Sequence, residues 1–237
     1  LSAQLPPIWY ENGLHCFPYG PSCSLDVVGL SFAGSPYVII GHNRSSAWGF
    51  TNMGPDVQDL YIEKINPSNE NQYEVDGSWV DMDRFTEIIY IPNEDPLIIE
   101  VRETHHGPII SDRDYPINSL KFSEQSRIGL PKDYAISLSW TALYPGKTFQ
   151  AIRDFNYMRN YEEFREASKN VHVPAQNLLY ADVEGNIAYQ SPGLVPIRAE
   201  GHSGQFPIPG WISSNDWKGF VPFDNLPISL NPLSGYI

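Results

Sequence analysis

Pro174-Ala-Gln-Asn177-Leu-Leu-Tyr-Ala-Asp182-Val-Glu-Gly-Asn186-Ile-Ala-Tyr189 reads as two short strands joined by a tight turn. Leu178, Leu179 and Tyr180 supply the first strand, Glu184-Gly185 the turn, and Ile187 to Tyr189 the second. Asn177 falls where the first strand begins. A side-chain amide fixed by a rigid strand can donate a hydrogen bond to an oxygen that is gaining negative charge. Taken locally, an asparagine that caps a loop is the commoner reading, and the rest of the chain has to decide between the two.

The chain has 237 residues, enough for one large domain or two small ones with a substantial core. Hydrophobic residues make up 41% and charged residues 18%, the balance of a globular chain. With 18 Gly and 21 Pro between short apolar runs, a β-rich fold is expected. A net charge of -13 without any Lys/Arg cluster makes nucleic acid and anionic membrane poor partners. No run approaches the roughly 18 apolar residues of a membrane span. No secretory leader is read at Leu1-Ser-Ala-Gln, and an upstream segment is expected to precede it. Cys16 and Cys23 enclose Pro18, Gly20 and Pro21, which suits a small disulfide-closed loop and an oxidising compartment. Two free thiols remain an open alternative.

Strands are expected at Tyr37–Ile40, Leu60–Ile65, Thr86–Ile91, Leu97–Thr104, Ile136–Trp140, Asn177–Ala181 and Ile187–Tyr189, and a hairpin around Asp76-Gly77. Trp48-Gly49-Phe50-Thr51-Asn52 reads as a turn. Two helices are expected, from about Thr148 to Met158 and from Asn160 onward, the second with Asn160 and Glu163 in a capping-box pattern. They should form a layer on a sheet. The Pro- and Gly-rich tail from Arg198 reads as ordered loop.

The pair His105-His106 raises the question of a metal. Neighbours on a strand point to opposite faces, so a structural role is the expectation. There is no His-Glu-x-x-His motif, no Gly-x-Ser-x-Gly elbow, no phosphate-binding glycine loop and no paired-carboxylate signature. No organic cofactor is expected. Asp56-Val-Gln-Asp59 places two carboxylates three residues apart, a pattern open to calcium, with solvated turn acids the commoner reading.

Taken in order, Pro6-Pro-Ile-Trp-Tyr-Glu11, Gly41-His-Asn43, Ala47-Trp-Gly49, Thr51-Asn52, Asp56-Val-Gln-Asp59-Leu-Tyr61, Thr104-His-His-Gly-Pro108, Asn177-Leu-Leu-Tyr-Ala-Asp182, Gly185-Asn-Ile187 and Asn231-Pro232 to Gly235-Tyr-Ile237 resemble the penicillin acylase (penicillin amidase) family across essentially the whole chain. The resemblance implies an N-terminal-nucleophile hydrolase, whose precursor cuts itself into α and β subunits. The new β-subunit Ser then acts with its own α-amine as base. It implies an α+β fold, the four-layer αββα sandwich, of which residues 1–237 would be an incomplete, β-rich internal part of the β subunit. No serine here, Ser2 included, occupies the nucleophile position, so that residue is expected upstream and the isolated chain is expected to be inactive.

By the same resemblance Asn177 is the side-chain oxyanion donor, Asn52 supplies the backbone N–H donor, and Arg198 orients Asn177. Ile8, Tyr10 and Ile40 are acyl-pocket walls. Asp56, Gln58 (through its carbonyl) and Asp59 are part of a structural calcium site. The implied substrate is a small N-acyl amide, penicillin or a related compound. The implied partners are the α subunit and the rest of the β subunit, with self-association of the fragment through its uncovered edges. The implied location is the periplasm or the exterior. Composition alone also admits a second function, a non-catalytic binding module using surface aromatics.

Overall fold

The computed structural model describes residues 7–111, 131 and 133–237. Ser2 and Pro6, invoked above, lie outside the described residues. In chain order the strands are β1 (Trp9–His15), β2 (Asp26–Phe32), β3 (Ile40–Asn43), β4 (Ser46–Asn52), β5 (Gln58–Asn66), β6 (Asn69–Val75), β7 (Ser78–Asp81), β8 (Asp83–Ile89), β9 (Leu97–Thr104), β10 (Gly107–Pro108), β11 (Tyr134–Trp140), β12 (Gln176–Asp182), β13 (Ile187–Gln190), β14 (Ile208–Pro209) and β15 (Ile228–Leu230). Helices α1 (Thr148–Tyr157) and α2 (Tyr161–Ser168) lie between β11 and β12. The chain divides into two compact units, one of residues 1–55, 144–195 and 221–237, the other of residues 56–143 and 196–220.

The first unit is a seven-stranded sheet in the order β1-β2-β3-β4-β12-β13-β15, antiparallel at every pairing. Trp48 on β4, Leu178 and Tyr180 on β12 and Ala188 on β13 point to one face, as the two-residue period of a strand requires. Phe155 and Ala151 of α1 and Phe164 and Ala167 of α2 pack on that face, so the expected helix layer is present. Asn160 caps α2 by accepting the Glu163 N–H at 2.9 Å. The capping box is not reciprocal: Glu163 Oε2 accepts from the Arg159 N–H at 2.8 Å, one residue before the cap. Asp182 holds the β12–β13 turn by accepting from the backbone N–H groups of Glu184 and Asn186. Gly185 there takes a φ of +91°, which a side chain would disfavour.

The second unit contains the sheet β11-β5-β6-β7, with β14 added parallel to β5, and the antiparallel sheet β10-β9-β8. β5 buries Asp59, Tyr61, Glu63 and Ile65 on one face. Much of β8 is solvent-facing, with Phe85, Ile88 and Ile89 exposed. The tail expected as loop contains β14, β15 and two short 3-10 turns, divided between the units. Among the described residues no helix is long and apolar enough to cross a membrane. Cys16 and Cys23 are disulfide-bonded, which settles the open alternative.

Three expectations need correction. Trp48–Asn52 is the end of β4 rather than a turn, and β8 runs Asp83–Ile89 rather than from Thr86 to Ile91. Tyr37–Ile39 is not strand; β3 begins at Ile40. The reason is Asn156 of α1, whose side chain replaces a neighbouring strand. Its Oδ1 accepts from the Val38 N–H at 3.0 Å, and its Nδ2 donates to the Val38 carbonyl at 2.7 Å and the Ile152 carbonyl at 2.8 Å. Val38 is fully buried and Asn156 nearly so, so removing the amide strands two backbone groups away from water. Asn156→Ala should cost about 2–4 kcal/mol in the denaturant unfolding of the full-length protein, the cost of two unsatisfied buried groups. A loss under about 0.5 kcal/mol, within the scatter of surface substitutions, would mean that the Val38 loop finds other partners.

Candidate active site

Seven residue pairs join β4 to β12, from Gln176↔Asn52 to Asp182↔Ser46. Asn177 stands opposite Thr51, so their side chains share the sheet face turned away from the two helices. Asn177 Nδ2 donates to Thr51 Oγ1 at 3.1 Å and to the Asn52 carbonyl at 3.2 Å. Its Oδ1 accepts from the Tyr189 hydroxyl at 2.7 Å. Tyr189 pairs with Leu179 on β13, the diagonal position from Asn177, which a tyrosine can span. Gln176, on the opposite face, donates to Asn52 Oδ1 at 3.0 Å and fixes that residue's side chain. The structure therefore brings Asn52 and Asn177 together and adds Thr51, Tyr189 and Gln176, which reading the sequence missed. The hairpin register was the available signal for Tyr189.

An apolar cavity of about 440 Å³ lies between α1 and the sheet; Thr51 and Asn52 line it, and Asn177 and Tyr189 do not. Trp9, Phe32, Ile40, Phe50, Ile152 and Phe155 form its apolar walls, and Thr51, Asn52 and Gln176 are among its polar lining. No charged side chain among the described residues lines it. Of the three expected wall residues only Ile40 is there. Ile8 precedes β1 and is exposed. Tyr10 pairs with Ser31, whereas Ile40 pairs with Leu30 and Leu30 with Glu11, so Tyr10 and Ile40 project to opposite faces. Trp9 and Phe32, which share Ile40's face with ring centres 4.1 Å apart, line the cavity.

Arg198 belongs to the second unit and makes its bonds there. Nε donates to both Asp59 oxygens, at 2.8 and 3.2 Å. Nη2 lies 2.9 Å from Asp56 Oδ2 and donates to the Asp56 carbonyl at 3.2 Å. Trp217 Nε1 also donates to Asp59, whose side chain is fully buried. The Asn177 amide is held by Tyr189, and Arg198 pairs with Asp56 and Asp59. The same contacts bear on calcium. A cation ligated by Asp56, Gln58 and Asp59 needs free carboxylate oxygens, and here a guanidinium bridges both carboxylates. Gly204, at φ +81°, closes over the pair, and a Cβ on it would lie 2.4 Å from Asp56 Oδ2. Arranged this way, the three residues do not fit a calcium ion.

The chain is similar to known proteins over its whole length. The family model described as penicillin amidase matches residues 1–237. Penicillin G acylase of Escherichia coli is 33% identical over 98% of the chain, which covers 25% of that protein. The acyl-homoserine lactone acylase QuiP of Pseudomonas fluorescens is 29% identical over 97% of the chain and 26% of its own length. Among solved structures, a thermostable penicillin G acylase from Alcaligenes faecalis superposes with a TM-score of 0.78 at 30% identity, over 98% of this chain and 38% of that one. The chain belongs to the penicillin amidase family, and it spans about a quarter of the length of the curated relatives it matches.

Arg198→Met in the full-length protein leaves the buried Asp59 carboxylate without its guanidinium, and should cost about 3–5 kcal/mol of stability in urea titration. If added Ca2+ restored that stability, the two aspartates would be calcium ligands after all.

Proposed function

We propose that this chain supplies the oxyanion-binding and part of the acyl-binding half of an amidohydrolase active site. The observation that carries the reading is the Asn177 amide, held by Tyr189 and bonded to two residues that line an uncharged cavity. The reaction is hydrolysis of an amide joining an acyl group to an amine-bearing partner. The nucleophile is a terminal Ser upstream of Leu1, with its own α-amine as base, so the 237 residues alone are inactive. As the hydroxyl attacks, the carbonyl oxygen gains charge, and the Asn177 Nδ2–H and Asn52 backbone N–H converge on it. Both Nδ2 protons are engaged at rest, at 3.1 and 3.2 Å. Substrate binding therefore redirects one of them, while the Tyr189 bond to Oδ1 keeps the amide from turning over.

The cavity walls favour an aromatic or aliphatic acyl group and disfavour a charged one, which would lose hydration without a partner. The single helix layer on the seven-stranded sheet is consistent with half of an αββα sandwich. The α subunit and the remaining β subunit would supply the other half and cover exposed apolar residues such as Val28 and Leu179. The disulfide favours a periplasmic or extracellular setting.

The test begins with the full-length precursor. Its mature subunit should start at Ser, Thr or Cys shortly upstream of Leu1 and hydrolyse N-acyl amides, a panel of penicillins and acyl-homoserine lactones being the first choice. In that enzyme Asn177→Ala should lower kcat about 100- to 1000-fold. Tyr189→Phe, which removes one orienting hydrogen bond, should lower kcat by up to about tenfold with KM little changed. An unprocessed precursor, or an unchanged kcat in Asn177→Ala, overturns the reading.

A further inference from the structure

The second unit holds a cluster of ligating side chains that the proposed hydrolysis does not use. His105 and His106 follow β9 in a tight turn that ends at Gly107, φ +134°. A Cβ on Gly107 would lie 2.2 Å from the Leu138 carbonyl, so only glycine lets the chain turn this close to β11. The turn cancels the strand alternation that argued against a shared ligand. The two imidazoles lie side by side, with ring centres 3.8 Å apart.

Each ring is anchored through Nδ1. His106 Nδ1 lies 2.8 Å from Glu63 Oε1, and His105 Nδ1 lies 3.0 Å from the Tyr73 hydroxyl. Each ring then turns its Nε2 toward one carboxylate. His106 Nε2 is 3.1 Å from Asp216 Oδ1, and His105 Nε2 is 3.5 Å from Asp216 Oδ2. A tetrahedral centre with bonds of about 2.1 Å separates neighbouring ligand atoms by about 3.4 Å, and these two distances bracket that value. All the ligand atoms fall within 4.8 Å of one another.

The surroundings are those of a built site. Glu63 is fully buried, and its Oε1 also accepts from Ser137 Oγ at 2.6 Å and Thr104 Oγ1 at 2.8 Å. A buried carboxylate on a histidine Nδ1–H fixes the tautomer and leaves Nε2 free to bind a metal. Tyr61 stacks on His106 at 3.6 Å and holds the ring's plane. The His106 side chain is only 4% exposed, but those of His105 and Asp216 are 35% and 30% exposed, so water can reach the remaining position.

We propose that His105, His106 and Asp216 form a binding site for a divalent transition-metal ion of the zinc class, ligated by both Nε2 atoms and the Asp216 carboxylate, with water as the fourth ligand. Two imidazoles and one carboxylate suit Zn2+, Co2+ or Ni2+ and not Ca2+, which takes six to eight oxygens. The ion ties the β9–β10 turn to the segment just after the Ser213–Asn215 turn. The assignment does not depend on the hydrolytic reading.

The test uses the full-length protein, stripped with a chelator and titrated with Co2+. The expected result is one equivalent bound with the visible absorption of four-coordinate Co2+, displaced by Zn2+ and unchanged by excess Ca2+. His105→Ala and Asp216→Asn, both at partly exposed positions, should each abolish that absorption while the stripped proteins keep the wild-type melting curve. Glu63→Gln keeps all three ligands and should weaken Co2+ binding about 10- to 100-fold. Absence of the absorption in folded wild-type protein, as when a proton rather than a metal joins His106 to Asp216, overturns the proposal. So does its persistence in either His105→Ala or Asp216→Asn.

Discussion

The pairing of β4 with β12 is the constraint on which the site depends. Asn52 and Asn177 are far apart in sequence, and a seven-pair antiparallel ladder sets them side by side. A slip of one residue would turn Asn177 toward the helices and put Leu178 in its place. What prevents the slip is burial on the other face. Leu178 and Tyr180 on β12 and Trp48 on β4 are packed under Phe155 and Phe164, and reversing them would expose that core. The polar face is thus positioned by the apolar one. Four aromatic side chains, Trp48, Phe155, Phe164 and Tyr180, belong to this core.

β5 shows the opposite economy. It buries two carboxylates, Asp59 and Glu63, on the same face as Tyr61 and Ile65. Each would be costly alone, since a buried unpaired charge loses its hydration. Arg198 and Trp217 meet Asp59; His106, Ser137 and Thr104 meet Glu63. Burial by itself would raise the Glu63 carboxyl, but the bonds from His106, Ser137 and Thr104 outweigh it and hold the group below the usual carboxylate range. By linkage such a carboxylate contributes stability above its unfolded pKa, and that contribution is lost as pH falls through the depressed folded value. The strand is therefore specified by partners from distant segments, and it draws β11, β14 and the 196–220 segment around it.

Local chemistry was legible where it decided the conformation. The hairpin at Glu184-Gly185, the helices near Thr148 and Asn160 and the strand ending at Thr104 were all readable from period and turn residues. Tyr37–Ile39 was not, because an apolar run says nothing about whether a strand or the amide of Asn156 will take its hydrogen bonds. The run Asp59-Leu-Tyr-Ile-Glu63 alternates equally well in either orientation, and distant partners such as Arg198 and His106 decide which face goes in. His105-His106 lies in a turn, and strand alternation does not extend through it.

The sequence by itself determined the family, the presence of an asparagine at a strand start, and the acidic, turn-rich character of the chain. Those follow from residue identity and short-range spacing. The tertiary structure decided what each polar group does. Asn177 is oriented by Tyr189 because hairpin register places the two on one diagonal; Arg198 is drawn to Asp56 and Asp59 because a buried carboxylate needs a cation; and two adjacent histidines face one aspartate because Gly107 turns the chain. Each is a contact between segments distant in sequence, or a matter of which way a side chain faces, and spacing along the chain carries neither.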